Sequence, residues 1–231
     1  MSPNLQILAY ESTPLGTLCL RKRRTLDEPT EWVTEITLNH EFLMSSLHTD
    51  SEQALARIPL AQVAGDRLEV LIGGLGLGYT TLAALASERV ARVEVVELLP
   101  QVIRWTHEGL TPLSESLNSE PRLAISQGDI YERLTLPPSG PGSDVILIDV
   151  DHSPEDQLGS EKHAFYTVDG LAAASAHLKP SGILALWSYA KDTPLLDAMR
   201  QAFKQVETHP ITYYNRHVHE HFTDWLYTGI R

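Results

Sequence analysis

Cysteine is nearly absent from this chain. The single Cys19 excludes an intrachain disulfide and any zinc cluster built on thiolates. Alternating within an apolar segment, it reads as a small buried hydrophobe. Basic residues are scarce too: 18 Lys and Arg stand against 30 Asp and Glu, for a formal net charge of −12. Such a chain repels phosphate backbones and anionic lipid, which argues against nucleic acid or a membrane surface as partner. A cationic substrate suits the charge, and so does a plain solvated acidic face. The N-terminus lacks the basic start and apolar core of a secretory signal. With the lone cysteine, this sets the expectation of a reducing, cytoplasmic location. No internal repeat and no long low-complexity tract occurs. Residues 70–87 are 18 uncharged residues in a row, the lower edge of a membrane span, but four glycines interrupt them. A strand, a glycine turn and a helix explain that stretch better.

What is there is enough chain, 231 residues, for one domain or one and a half with a core that needs no disulfide. The pattern changes near residues 64–66. Residues 1–64 read as a small β unit with a connecting helix. Strands are expected at 5–10, 16–21, 32–38 and 41–44, with Asn39-His40 turning between the last two. Thr49-Asp50-Ser51-Glu52 has the spacing of a capping box, Thr49 at the N-cap and Glu52 at N3, and predicts a helix to about residue 57, stopped by Pro59. Residues 65–231 alternate strand and helix. Strands are expected at 68–72, 92–97, 123–126, 144–149 and 183–188, helices at 79–86, 100–106, 168–178 and 193–202, and a closing antiparallel pair at 206–213 and 224–230. The densely apolar runs at 68–72 and 144–149 are those of parallel strands covered on both faces. The class is therefore α/β, a mostly parallel sheet with helices on both sides, and ligands in such folds bind beyond the carboxyl ends of the strands.

Three strand ends carry suitable groups. After the first comes Gly73-Gly74-Leu75-Gly76-Leu77-Gly78, glycines that let the chain turn sharply and a ligand approach the backbone. Glu97 ends the next strand, 19 residues beyond Gly78, where a carboxylate can accept both hydroxyls of a ribose. Gly128-Asp129-Ile130 follows the third, where Asp129 can take the exocyclic amine of an adenine. Together they predict an adenosine-type ligand. The glycine turn holds no Lys or Arg and no P-loop Lys-Ser/Thr, and the net charge disfavours a polyphosphate. A cationic sulfonium nucleoside such as S-adenosylmethionine fits better than ATP. A dinucleotide stays open, since a helix N-terminus alone can hold its pyrophosphate.

At this point the sequence resembles the spermidine-synthase-like proteins of the class I S-adenosylmethionine-dependent methyltransferase superfamily. The carriers are Glu41-Phe42-Leu43-Met44-Ser45-Ser46, Ser51-Glu52-Gln53-Ala54-Leu55-Ala56-Arg57, the Gly73 to Gly78 turn, Val96-Glu97 and Gly128-Asp129. Further on they are Ile148-Asp149-Val150-Asp151-His152-Ser153-Pro154, Ala164-Phe165-Tyr166 and Leu184-Ala185-Leu186-Trp187-Ser188. The resemblance implies a Rossmann-like domain with a seven-stranded sheet, a β-rich N-terminal unit and a homodimer. It also implies Glu97 on the ribose, Asp129 near the adenine and Asp149 at the reacting centre. Aminopropyltransferases of this kind carry an Asp in the glycine turn that holds the propylamine group, where this chain has Gly76. Their Asp-x-x-Asp after the fourth strand is matched by Asp149 and, in place of the second acid, His152. Their front-helix tyrosine-histidine pair is missing around Ser51–Ala54. A diamine needs carboxylates to offset its lost hydration. The sequence therefore favours methyl transfer from S-adenosylmethionine to a small-molecule acceptor. Aminopropyl transfer from decarboxylated S-adenosylmethionine, and a non-catalytic nucleoside-binding dimer, are the alternatives.

Asp149, ending a buried strand, is the leading catalytic candidate, to orient or deprotonate the acceptor. Asp151 and His152 follow on a loop, 151–163, that reads as a lid. Tyr166, Trp187 and Tyr189 are candidates for the acceptor wall, each weighed against ordinary core packing. His217, His219 and His221 would share one face of a strand, yet nothing nearby except His209 and Asp224 completes a metal shell, and no metal is assigned. The run Arg21-Lys22-Arg23-Arg24 reads as a solvated hairpin tip.

Overall fold

The computed structural model describes residues 4–26, 28–150, 164–191 and 194–231. Strands β1 (Leu5–Thr13), β2 (Gly16–Arg24), β3 (Trp32–Leu38) and β4 (Glu41–Ser45) form an antiparallel sheet in sequence order. Asn39 and His40 both take positive φ, 51° and 69°, the backbone a two-residue hairpin turn requires. The basic run is not a hairpin tip. It lies inside β2, and Arg21 and Arg23 both bind Glu35 of β3, at 2.9 and 2.5 Å. Glu35 is only 2% exposed, and two guanidinium groups on one carboxylate offset the cost of burying it.

Helix α1 (Asp50–Gln62) corrects two expectations. Pro59 does not stop it. The helix continues one turn further because Leu55, Ala56, Pro59 and Leu60 are all buried, and packing outweighs one missing N–H. Nor does the capping box form: Thr49 makes no cap bond to the backbone, its hydroxyl accepting from Gln53 Nε2 instead. Glu52 makes no bond back to Thr49 N; its carboxyl meets Ser51 Oγ at 3.1 Å and lines a cavity.

Beyond α1 the chain builds a seven-stranded sheet from β5 (Leu68–Gly73), β6 (Val90–Glu97), β7 (Leu123–Gln127), β8 (Ser143–Ile148), β9 (Leu178–Ser188), β10 (Gln205–Asn215) and β11 (Glu220–Ile230). Their order is β10-β11-β9-β8-β5-β6-β7, with β11 alone antiparallel to its neighbours. Val70, Leu71, Ile72, Val145, Ile146 and Leu147 are at most 3% exposed, as doubly covered strands demand. The connecting helices are α2 (Tyr79–Leu85), α3 (Pro100–His107), α4 (Ser114–Asn118), α5 (Ile130–Thr135), α6 (Val168–Ala176) and α7 (Pro194–Ala202). The front sheet shares a core with this layer: Leu18, Leu20 and Ile36 belong to one buried cluster with Leu75, Leu77, Leu99 and Val102. From β5 the chain runs outward through β6 and β7, then returns to β8 on the other side. A crevice therefore opens at the carboxyl ends of β5 and β8.

Other departures are local. β9 starts at Leu178, where a helix end was expected, because the chain bulges through Lys179-Pro180-Ser181-Gly182 and still pairs with β8. The short helices α4 and α5 are too brief for a periodic signal. His217 and His219 lie in the turn between β10 and β11, His219 with φ 55°, and only His221 is on a strand. The three do not share a face. Among the described residues, no group of three or more His, Cys, Asp or Glu could hold a metal ion. No described helix is long and apolar enough to cross a membrane.

Candidate active site

The crevice holds a cavity of about 520 Å³, within the usual range for a small-molecule site. Its floor is the glycine turn. Gly74 N donates to Val96 O at 2.9 Å, Gly128 N to Glu97 O at 3.0 Å and Asp149 N to Gly73 O at 3.0 Å, so the ends of β5, β6, β7 and β8 are tied together. Gly74 has φ +90°, and a Cβ there would come within 2.3 Å of Asp149 O. Only glycine lets β8 approach this closely. At Gly76, φ +52°, a Cβ would meet Met44 Sδ at 2.8 Å. The thioether of the front sheet thus packs directly on the turn.

Glu97 is 7% exposed. Its two carboxylate oxygens accept from Leu75 N at 2.7 Å and Leu99 N at 2.8 Å. Burial pushes its carboxyl up, against the pull of main-chain N–H groups at residues 99, 75, 76 and 98. So many main-chain donors make the group first a brace of the turn, and a diol that approaches it shares its oxygens with them. Asp129 caps α5: its Oδ1 accepts from Tyr131 N at 2.8 Å and Glu132 N at 3.2 Å. Both acids face the cavity, as do Gly74, Gly76, Gly78, Gly128 and Ile130. Gly73 does not line it. A Cβ on Gly73 would strike the Ile130 side chain at 2.6 Å, so its lack of one lets α5 pack against β5.

Asp149 reaches the same cavity, and its Oδ2 accepts from the Thr80 hydroxyl at 2.6 Å. Burial raises its carboxyl above the usual range. Trp187 and the half-exposed Tyr189 also line the space. Tyr166 does not: its hydroxyl bonds that of Tyr131 at 2.7 Å, and it packs with the core under α5 and α6. Asp151, His152 and the segment read as a lid lie outside the described residues.

Two further acids join Asp149. Glu52, from the first turn of α1, and Asp224, from β11, both line the cavity. Burial, then the neighbouring Asp149, raises the Glu52 carboxyl to about 8. Burial also raises Asp224, 9% exposed, against hydrogen bonds from Ser51 and Trp187. Ser51 Oγ donates to Glu52 Oε2 at 3.1 Å, and it lies close enough to Asp224 to oppose the rise of that carboxyl. His48 and Tyr213 pack beside them with tilted rings, centroids 4.8 Å apart. Desolvation lowers the imidazole of His48, and burial with the nearby acids pushes the Tyr213 phenol up to about 12. Sequence reading missed both acids. The Thr-x-x-Glu spacing gave Glu52 a capping duty, and Asp224 stood out only as a neighbour of histidines. Its place at the head of the apolar run Trp225-Leu226-Tyr227 was the available signal for a buried acid.

No protein-family model and no curated protein sequence matches the chain. Solved structures do match. The spermidine synthase of Thermotoga maritima is 14% identical, superposing with a TM-score of 0.74 over 97% of this chain and 72% of that one. A spermidine synthase in complex with the transition-state analogue AdoDATO is 16% identical, with a TM-score of 0.76 over 97% of this chain and 73% of that one. The fold is that of the spermidine synthases: a Rossmann-like, class I methyltransferase-type sheet preceded by a small antiparallel one.

Proposed function

We propose that this chain is an aminopropyltransferase-type enzyme that moves an aminopropyl group from decarboxylated S-adenosylmethionine to an amine. The supporting observation is the wall formed by Glu52, Asp149 and Asp224, three acids lining one cavity with the glycine turn and Glu97. This reverses the preference that the sequence alone gave to methyl transfer. That preference rested on missing acids at Gly76 and His152, and Glu52 and Asp224 bring acids from other elements. Ammonium groups leaving water need such partners, and a donor carboxylate would be repelled by them. The likeness to spermidine synthases, one of them bound to AdoDATO, supports the same reading.

In this reading Glu97 and Asp129 hold the nucleoside, and Asp149 orients the acceptor nitrogen for in-line attack on the carbon next to sulfur. Alignment of nucleophile, carbon and leaving sulfur supplies much of the rate. A second reading, methyl transfer from S-adenosylmethionine, draws on Gly76. The acid that holds the propylamine group in the proteins it resembles has no counterpart here, and Met44 fills that space.

Calorimetry with both donors, followed by a screen of amines for released methylthioadenosine, tests the proposal. The expected result is binding of the decarboxylated donor at least ~10-fold tighter than S-adenosylmethionine, one factor of ten being about 1.4 kcal/mol, with amine-dependent turnover. Formation of S-adenosylhomocysteine alone would establish the second reading. Tight nucleoside binding with no turnover of any acceptor would sink both.

A further inference from the structure

The three acids do not have equivalent surroundings. Among the described residues Asp149 accepts from one side-chain donor, the Thr80 hydroxyl, which also faces the Glu52 carbonyl at 3.2 Å. Among the described residues, what lies beyond Thr80 is that main-chain carbonyl, which does not take up a proton. Glu52 is different, because the Ser51 hydroxyl, 3.1 Å from Glu52 Oε2, also lies beside the Asp224 carboxyl and opposes its rise. A hydroxyl has one proton to give. If Glu52 and Asp224 were both ionised, one would face a lone pair of Ser51. With a proton on Glu52, it donates to Ser51 Oγ and Ser51 donates to Asp224, so every contact is satisfied. Asp224 in turn accepts from Trp187.

Building on the amine-transfer reading, we propose that Glu52 is the base that removes the proton from the acceptor ammonium, and that Ser51 passes this proton on to Asp224. An N–H bond of the ammonium breaks and its proton goes to Glu52. The freed lone pair attacks the donor carbon, an N–C bond forms and the C–S bond breaks. Its electron pair returns to sulfur as a neutral thioether, and the positive charge ends on the secondary ammonium of the product. Asp149 holds the ammonium and does not turn over its own proton. Among the described residues, the groups around Glu52 include Asp149 from β8, Asp224 from β11, Tyr79 and Thr80 from α2, Tyr213 from β10 and Ser51 of α1, with His48 lining the same cavity. In the free protein the neighbouring acids hold a proton on Glu52; the two bound cations, ammonium and sulfonium, expel it and leave a carboxylate able to act as a base near neutral pH.

The experiment compares two acceptors in the full-length protein: an alkylamine, protonated at neutral pH, and an alkoxyamine, which is not. With the alkylamine, E52Q is expected to lose at least ~100-fold in kcat, the lower end of what general-base catalysis contributes, and with the alkoxyamine less than ~5-fold. S51A should lower kcat with the alkylamine and move the acid limb of its pH profile, and S51T should restore both. Methylthioadenosine binding to E52Q, expected within ~2-fold of wild type on the usual affinity scale, shows that the variant is folded. Equal losses for both amines in E52Q would overturn the assignment of the base, and an unaltered pH profile in S51A would overturn the relay. A wild-type protein that turns over no amine would instead remove the reading on which the proposal rests.

Discussion

Thr80 joins helix α2 to the end of β8, its hydroxyl donating to Asp149 Oδ2 at 2.6 Å. Asp149 is half-buried beyond the tip of a fully covered strand, and this bond opposes the rise in its proton affinity that loss of water causes. Thr80→Val keeps the shape and removes the donor. Asp149 should then bind its proton still more tightly, and the acid limb of the pH–rate profile should move upward. The fold should lose about 1 kcal/mol, the lower end of the cost of an unmet acceptor, because Asp149 keeps some contact with water. A pH titration of turnover with a parallel thermal melt checks both. An unmoved acid limb would mean that Asp149 does not take part in turnover.

Stability should depend on pH in a direction set by Glu52. Its carboxyl titrates near 4.5 when exposed and at about 8 in the fold. Between those values the folded state holds a proton that the unfolded state has released, so stability falls as pH rises through the window. Asp149 and Asp224 are shifted the same way and add to the slope. The melting midpoint of the ligand-free protein should therefore drop from about pH 5 to pH 8, each kcal/mol moving it by roughly 2–4 °C in a domain of this size. E52Q should flatten the slope and melt higher than wild type at pH 8. A steeper slope in E52Q would mean that another group sets the pH dependence.

Glu97 has two duties that mutation can separate. Its oxygens hold Leu75 N and Leu99 N, and both bonds are buried. Glu97→Ala leaves two unmet N–H groups, about 1–3 kcal/mol each, so the melting point should fall whether or not a nucleoside is present. Glu97→Gln preserves one of those bonds and the volume. If Glu97 also accepts from a ribose, calorimetry with methylthioadenosine should show weaker binding in both variants. Unchanged affinity in Glu97→Gln would leave Glu97 as a brace of the glycine turn.

The parallel sheet was legible because its signal is redundant. Continuous apolar runs at β5 and β8 allow little but doubly covered strands, and the glycine turn between β5 and α2 announces a strand-to-helix connection. The site was legible only where it sits at strand ends. Gly74, Glu97, Asp129 and Asp149 follow strands and could be found by counting. Glu52 could not, because one spacing serves both a capping box and a carboxylate that faces a cavity, and only tertiary packing chooses between them. Pro59 misled for the same reason: local propensity ends a helix there, while a buried face carries it on.

The contact between Met44 and Gly76 gives a test of donor choice. With φ +52° at Gly76, an Asp can adopt the backbone at modest cost, since short polar side chains tolerate the left-handed region. The obstacle is Met44 Sδ, 2.8 Å from where its Cβ would stand. Gly76→Asp alone should therefore push Met44 aside and weaken both donors. Combined with Met44→Ala, the new carboxylate gains room above the turn, where the donor side chain leaves the ribose. The double variant should bind decarboxylated S-adenosylmethionine more tightly than wild type does, and S-adenosylmethionine more weakly, because the added charge attracts an ammonium and repels a carboxylate. Donor selectivity measured by competition calorimetry should rise by roughly tenfold, the effect of about 1.4 kcal/mol. If the two affinities shift together, the donor side chain does not pass over Gly76, and the cavity must be filled from another direction.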